Sequence, residues 1–231
     1  MTIALGVNFG SYIILATDTR TTWYPNDGSP YYQDDSEKIQ KTKFGLITGS
    51  GWTDKIDLVK KSFAESLPKD TNEMLSLIRE ALDKYKDRCG GLIPNLKTRW
   101  IFSYQTIKND KQILRLAFYD PHEKDDIAFT NETCTPLIIF PAETNEEEAN
   151  ALRSAYSELL KPFEEFKNID ESIQYNIELI ARFFYLIHLR YESMSSLFQV
   201  GIHKHGYVAI SQIIDPTKPQ NIKLEFSPIW E

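Results

Sequence analysis

Two apolar runs open the chain. Ile3-Ala4-Leu5-Gly6-Val7-Asn8-Phe9 and Tyr12-Ile13-Ile14-Leu15-Ala16-Thr17-Asp18 are short and separated by Gly10-Ser11, which predicts two strands joined by a tight hairpin. Residues 21–37 break the pattern. Pro25, Asn26-Asp27-Gly28 and Pro30 are turn formers, so this stretch reads as a polar, aromatic loop. Short strands return at Lys38-Ile39-Gln40-Lys41 and Phe44-Gly45-Leu46-Ile47-Thr48. Gly49-Ser50-Gly51 then turns the chain into a helix, with Thr53 or Asp54 as its cap.

Apolar residues next recur at helical spacing. Ile56, Val59, Phe63 and Leu67 line one face of a first helix, and Leu75, Ile78, Leu82 and Tyr85 line a second over residues 70–88 that Cys89-Gly90-Gly91 ends. Residues 98–106 and 112–119 read as strands around Asn109-Asp110, a second hairpin, with shorter strands near 126–129 and 136–140. Residues 144–167 carry Leu152, Tyr156, Leu159 and Phe163 on an acidic amphipathic helix that Pro162 bends or ends. A further helix over 170–190 buries Ile173, Ile177, Ile180, Phe184 and Ile187. Residues 197–203 and 207–212 form a closing hairpin around Lys204-His205-Gly206. Strands, two helices, strands, two helices, strands is the order of an α+β fold. It predicts two antiparallel sheets stacked face to face, with a helix pair covering each outer side. No linker or repeat divides the pattern, so residues 1–231 are expected to form one domain.

Composition narrows the function. Of 231 residues, 42% are hydrophobic and 26% charged, with a net charge of −7; this favours neither nucleic acid nor an anionic membrane as partner. No run approaches the ~18 apolar residues of a membrane span, and no basic segment followed by an apolar run marks a secretory signal. Two cysteines, Cys89 and Cys134, fit a reduced compartment better than a disulfide framework. The expectation is a cytoplasmic protein, in which the Asn131-Glu132-Thr133 sequon is incidental. His203 and His205 lack cysteine or carboxylate partners at ligand spacing, Gly49-Ser50-Gly51 lacks the Gly-Lys-Ser/Thr of a phosphate loop, and His188 is expected to pack within its helix. No metal and no cofactor is expected.

The residue that changes this picture is Thr2. A small side chain beside the initiator methionine favours clipping of Met1, which exposes a hydroxyl and a free α-amine on one residue. The amine, with an ordinary pKa of ~7.7–8.0, is suited to act as the base that activates the hydroxyl. The bland alternative is a threonine that merely begins an edge strand.

The residues around Thr2 decide for chemistry. Gly6-Val7, Ile13-Ile14-Leu15-Ala16 and then Thr17-Asp18-Thr19-Arg20 resemble the opening of a proteasome β-subunit or its bacterial relative HslV, in the N-terminal-nucleophile hydrolase superfamily. Ser36-Glu37-Lys38-Ile39 is similar to the segment that carries that family's catalytic lysine, and Ile47-Thr48-Gly49-Ser50-Gly51-Trp52-Thr53-Asp54 to its glycine turn before the first long helix. The resemblance implies a four-layer αββα sandwich and amide or peptide hydrolysis by Thr2. In it Lys38 stays charged beside Thr2 and lowers the amine's pKa, Asp18 pairs with Lys38, and Arg20 supports the loop around Asp18. Backbone N–H groups at a helix N-terminus suit an oxyanion hole; Gly49 is the first choice and Gly51 the second. Glu192 and Ser195, in Glu192-Ser193-Met194-Ser195, match the family's acid-x-x-serine segment in spacing, although Glu stands for the usual Asp. Partners implied by the resemblance are a peptide or protein substrate, further copies in a homo-oligomeric ring, and an ATPase unfoldase.

Two departures keep other readings open. Ile138-Ile139-Phe140-Pro141-Ala142-Glu143-Thr144 contains nothing like the family's Gly-Ser-Gly-Ser stretch. The 21–37 loop is long and carries Trp23, Tyr24, Tyr31 and Tyr32, as a wall of the cleft or, by preference, a subunit contact. A catalytically inactive ring or scaffold protein is therefore the alternative, and a small-molecule acylase or transpeptidase the third reading.

Overall fold

The computed structural model describes residues 2–25, 28–88, 97–130, 132–218 and 222–229. Its first strands are β1 (Ala4–Asn8), β2 (Tyr12–Asp18), β3 (Thr21–Trp23), β4 (Tyr31–Gln33), β5 (Gln40–Lys41) and β6 (Gly45–Ser50). Helices α1 (Thr53–Glu65) and α2 (Thr71–Arg88) follow, then β7 (Arg99–Lys108), β8 (Lys111–Tyr119), β9 (Ala128–Phe129) and β10 (Leu137–Ile139). The chain continues through α3 (Glu146–Ser157), a 3-10 turn at Phe163–Glu165, α4 (Ile169–Arg190), β11 (Phe198–Lys204), β12 (Tyr207–Ile210) and β13 (Ser227–Pro228). The fold is mixed α+β with antiparallel sheets. One sheet has the order β10-β1-β2-β11-β12-β13 and another β5-β6-β7-β8-β9, while β3 and β4 pair only with each other.

Alternation along the strands distributes their side chains between faces. In β2, Ile13 and Leu15 join Leu46, Ile101, Leu114 and Leu116 of the five-stranded sheet in one apolar cluster. Ile14 and Ala16 face the other way, into a cluster with Ile177, Ile180 and Phe184 of α4. On the five-stranded sheet, Ile47, Trp100 and Phe102 pack with Val59 and Phe63 of α1 and Ile78 of α2. All seven residues of β2 are buried, so Tyr12–Ala16 reads as an unbroken apolar run rather than an alternating one. Where the sheets meet, a Cβ on Gly6 would lie 2.8 Å from Leu116 Cδ1. A larger residue there would require the Leu116 and Ile101 side chains to shift.

The elements follow the sequence pattern with instructive exceptions. Within the expected 21–37 loop, β3 and β4 form a two-stranded ribbon in the register Thr21↔Gln33, Thr22↔Tyr32, Trp23↔Tyr31. Helix α1 ends at Glu65, so Leu67 lies beyond it and is 57% exposed. Its N-cap is Trp52, extended and without a side-chain cap bond; Thr53 and Asp54 are already helical. The expected helix over 144–167 stops at Ser157, and Pro162 instead caps the 3-10 turn. Leu159 falls in the break and is exposed. Asn109 and Asp110 have φ of 51° and 60°, the left-handed conformation a two-residue hairpin demands. Cys89-Gly90-Gly91 lies outside the described residues. Among the described residues, no helix is long and apolar enough to cross a membrane.

Candidate functional site

Pairing of the first two strands assembles the site. The register Ala4↔Thr17 brings the residues before β1 against the end of β2. There the Ile3 N–H donates to Asp18 Oδ1 at 3.1 Å, and the Asp18 N–H to the Ile3 carbonyl at 3.3 Å. Thr17 Oγ1 adds a bond to the same carbonyl at 3.0 Å. Thr2, the preceding residue, is buried at the mouth of these strands.

Lys38 reaches this corner from the segment before β5. Its Nζ donates to Thr2 Oγ1 at 2.9 Å and to the Arg20 carbonyl, and lies 3.4 Å from Asp18 Oδ1. The Lys38 backbone is fixed at both polar groups. Its N–H donates to Gln199 Oε1 at 3.1 Å, and its carbonyl accepts from Thr48 Oγ1 at 3.0 Å. Gln199 Oε1 also accepts from the Ile39 N–H at 3.0 Å.

Asp18 is fully buried, and its carboxylate accepts from Ile3 N–H, Arg20 N–H and Lys38. Burial pushes the Asp18 carboxyl above its ordinary range, against the opposing charge of Lys38. Burial likewise pushes Lys38 below the usual lysine value, and Asp18 resists that shift. Each partner and the surrounding hydrogen bonds offset part of the cost of this burial.

Arg20 ties the corner to two further segments. Its guanidinium makes two bonds of 2.7 Å to the Asp34 carboxylate, contacts the Glu192 carbonyl, and lies 4.7 Å from the centre of the Tyr32 ring. The arginine beside it holds Asp34 below the usual carboxylate range. Thr19 Oγ1 fixes the Asp34 carbonyl at 2.7 Å.

The glycine turn lies on the other side of Thr2. Ser50 Oγ donates to the Thr2 carbonyl at 3.0 Å, so the β6–α1 junction borders the nucleophile candidate. Gly49 is inside β6, where a Cβ would meet the Arg99 carbonyl at 2.8 Å; Gly51 has φ of +127° and no room for a Cβ. Both glycines therefore have packing reasons to be there, whatever their N–H groups do.

The structure thus brings together Thr2, Asp18, Lys38 and Arg20, with Gly49 and Gly51 on the neighbouring junction. The Glu192–Ser195 segment, matched to the family's acid-x-x-serine stretch in spacing, bonds to groups other than Thr2. Glu192 is exposed and engages Arg20 through its carbonyl. Ser195 is buried and accepts from the Leu197 N–H at 3.1 Å. Among the described residues, the bonds at Thr2 come from Lys38 and Ser50. His188 contacts the Met194 carbonyl through Nδ1 at 2.8 Å, in keeping with a packed histidine.

Sequence reasoning missed Asp34 and Gln199. Each had a faint signal: an acid closing the same loop that Arg20 opens, and a lone amide within the apolar run Phe198-Gln199-Val200. The surface hollow along α3, lined by Glu148, Leu152 and Arg190, is remote from this chemistry in its lining. Among the described residues no group of three or more His, Cys, Asp or Glu is placed to hold a metal ion.

No protein-family model and no curated protein matches the chain. Among solved structures, it is similar to an Anbu (Gly-1) mutant from Hyphomicrobium sp. strain MC1, at 14% identity and a TM-score of 0.56. The match covers 97% of this chain and 87% of that one. The fold is proteasome-like. At this identity the likeness speaks for the fold alone, and it does not single out HslV within that class.

Proposed function

We propose that this chain is a threonine-dependent amide hydrolase, most naturally a peptidase, built as a single four-layer αββα domain of the N-terminal-nucleophile type. The observation that carries the reading is Lys38 Nζ at 2.9 Å from Thr2 Oγ1 with Asp18 buried behind it. The layer arrangement is supported by one apolar cluster shared by the two sheets and one between each sheet and a helix pair.

In this reading Met1 is removed, and the Thr2 α-amine takes the hydroxyl proton as Oγ1 attacks a substrate carbonyl. Charged Lys38 lowers the amine's proton affinity and stabilises the developing oxygen nucleophile. N–H groups of the Gly49–Gly51 turn stabilise the oxyanion. The amine passes its proton to the leaving nitrogen as the C–N bond breaks, leaving an ester on Thr2 that water hydrolyses. The protein works in the cytoplasm as a homo-oligomeric ring that encloses its sites, with an ATPase unfoldase as a further partner.

The test is intact mass after incubation with a peptide epoxyketone, which requires a terminal hydroxyl and its free amine. Loss of Met1 and one adduct, absent in Thr2→Ala, is the expected result; an unlabelled wild type overturns it. The engagement of Glu192 through its carbonyl alone favours one second reading, a ring or scaffold protein without turnover. Assembly without labelling would select it.

A further inference from the structure

The residues that hold Lys38 in place are themselves held by a group outside the expected motif. Arg20 serves the site through its backbone: its N–H donates to Asp18 Oδ2 at 3.1 Å, and its carbonyl accepts from Lys38 Nζ. Both atoms belong to one residue just past the end of β2, with no ladder partner to fix it. What fixes it is the side chain. Asp34 grips the guanidinium at two points of 2.7 Å, a planar fork-to-fork pairing that sets orientation as well as distance.

We propose that Asp34 is a positioning residue for the Thr2 site, acting through Arg20 to set where the Lys38 ammonium stands; this rests on the function proposed above. The placement of Asp34 is itself over-determined. Its carbonyl accepts from Thr19 Oγ1, and the Ser36 N–H donates to the Thr19 carbonyl at 3.1 Å. Arg20 and Asp34 close the base of the β3–β4 ribbon, and Tyr32 of that ribbon lies over the guanidinium. The clamp therefore joins the ribbon, the end of β2 and, through the Glu192 carbonyl, the loop after α4.

A second consequence is electrostatic. The charged groups acting on Lys38 are Asp18, Arg20 and Asp34, together with the Thr2 amine once Met1 is gone and Lys60 of α1, which feels the Lys38 charge. Those acting on Asp34 are Arg20, Lys38 and His188 of α4. The Asp34 charge favours the protonated lysine. Its removal lets Lys38 lose its proton at lower pH, and the alkaline limb of the rate follows.

The experiment compares second-order rates of labelling by a peptide epoxyketone, read by intact mass from pH 6 to 10, in wild type, Asp34→Asn, Asp34→Glu and Arg20→Lys. Asp34→Asn is expected to slow labelling about 10- to 100-fold and to move the alkaline limb down by about half a unit. Asp34→Glu recovers the limb and part of the rate. Arg20→Lys keeps all charges but loses the fork, so its rate drops while the limb stays; this variant decides the matter should Asp34→Asn not fold. Labelled wild type with unchanged rates in Asp34→Asn or Arg20→Lys overturns the positioning role alone. Slower labelling in Asp34→Asn with an unmoved limb reduces Asp34 to a structural brace and overturns it too. An unlabelled wild type overturns the parent reading and this one with it.

Discussion

Asp18 ends β2 and His203 lies in β11, the strand that pairs with it, where His203 stands opposite Ile13. Both are fully buried, and burial acts on them with the same sense: it disfavours charge. Their surroundings differ. Asp18 receives three donors, one of them a lysine whose own ammonium is satisfied by a hydroxyl and a carbonyl. His203 has one bond, Nδ1 to Ser103 Oγ at 2.9 Å, and its buried Nε2 has no partner among the described residues. Burial pushes its pKa down to about 3, so it remains a neutral tie between the two sheets. Partners of this kind offset the cost of burying a charge, and this chain supplies them to Asp18 at one end of β2 but not to His203 in β11.

The comparison breaks most sharply at Lys38. Lys38→Met removes the partner that compensates Asp18, so epoxyketone labelling should fall by at least about 100-fold and stability by about 3–5 kcal/mol. Adding Asp18→Asn should recover much of the stability and none of the labelling, as measured by urea unfolding and intact mass. If the double variant is as unstable as the single one, the two charges are not a coupled pair.

Acid should expose the difference next. The unfolded His203 titrates near ~6.5, whereas the folded one stays neutral down to about 3. Between those values the unfolded state binds the extra proton, so stability is full above that range and falls as pH drops through it. The loss is about 1.4 kcal/mol per pH unit, or about 3 kcal/mol at pH 4. Asp34 and Asp215, both below the usual carboxylate range, lose stability in the same direction, and Asp18 acts oppositely. The difference between wild type and His203→Leu isolates the histidine. Parallel curves of urea midpoint against pH for the two proteins would refute the assignment.

Ser103→Ala sharpens the neutral side of the comparison. It strips a partner from His203 and from the Leu46 N–H, which donates to Ser103 Oγ at 3.2 Å. A loss of about 1–3 kcal/mol is expected in thermal or urea unfolding. The smallest effect belongs to Tyr24, 66% exposed beyond β3: Tyr24→Ser should stay within about 0.5 kcal/mol of wild type. A larger loss in dilute protein would show that the aromatic ribbon is packed rather than free.

Much of the fold was legible because burial imprints period on sequence. The helix faces of Val59 and Phe63, of Ile78 and of Ile177 and Phe184, and the hairpin at Asn109-Asp110, follow from spacing and turn chemistry alone. The β3–β4 ribbon was not legible. Its three-residue strands carry no alternation, since Tyr31, Tyr32 and Gln33 are all exposed. Helix ends were equally obscure where backbone geometry rather than a capping side chain sets them, as at Trp52 and Ser157.

At the site, the sequence by itself determined the residue types: a hydroxyl at position 2, an acid ending an apolar strand at 18, a cation just before a strand at 38, and glycines before a helix. The roles proposed for them rest on the resemblance of the motifs that carry them. Only the tertiary structure decided which of them share a hydrogen bond. Lys38 meets Thr2 across 36 residues, Gln199 meets Lys38 across 161, and Glu192 turns its carbonyl to Arg20 across 172. Contacts so distant along the chain are set by strand pairing and sheet packing. That arrangement also decides how many partners a buried ionisable group, Asp18 or His203, finds.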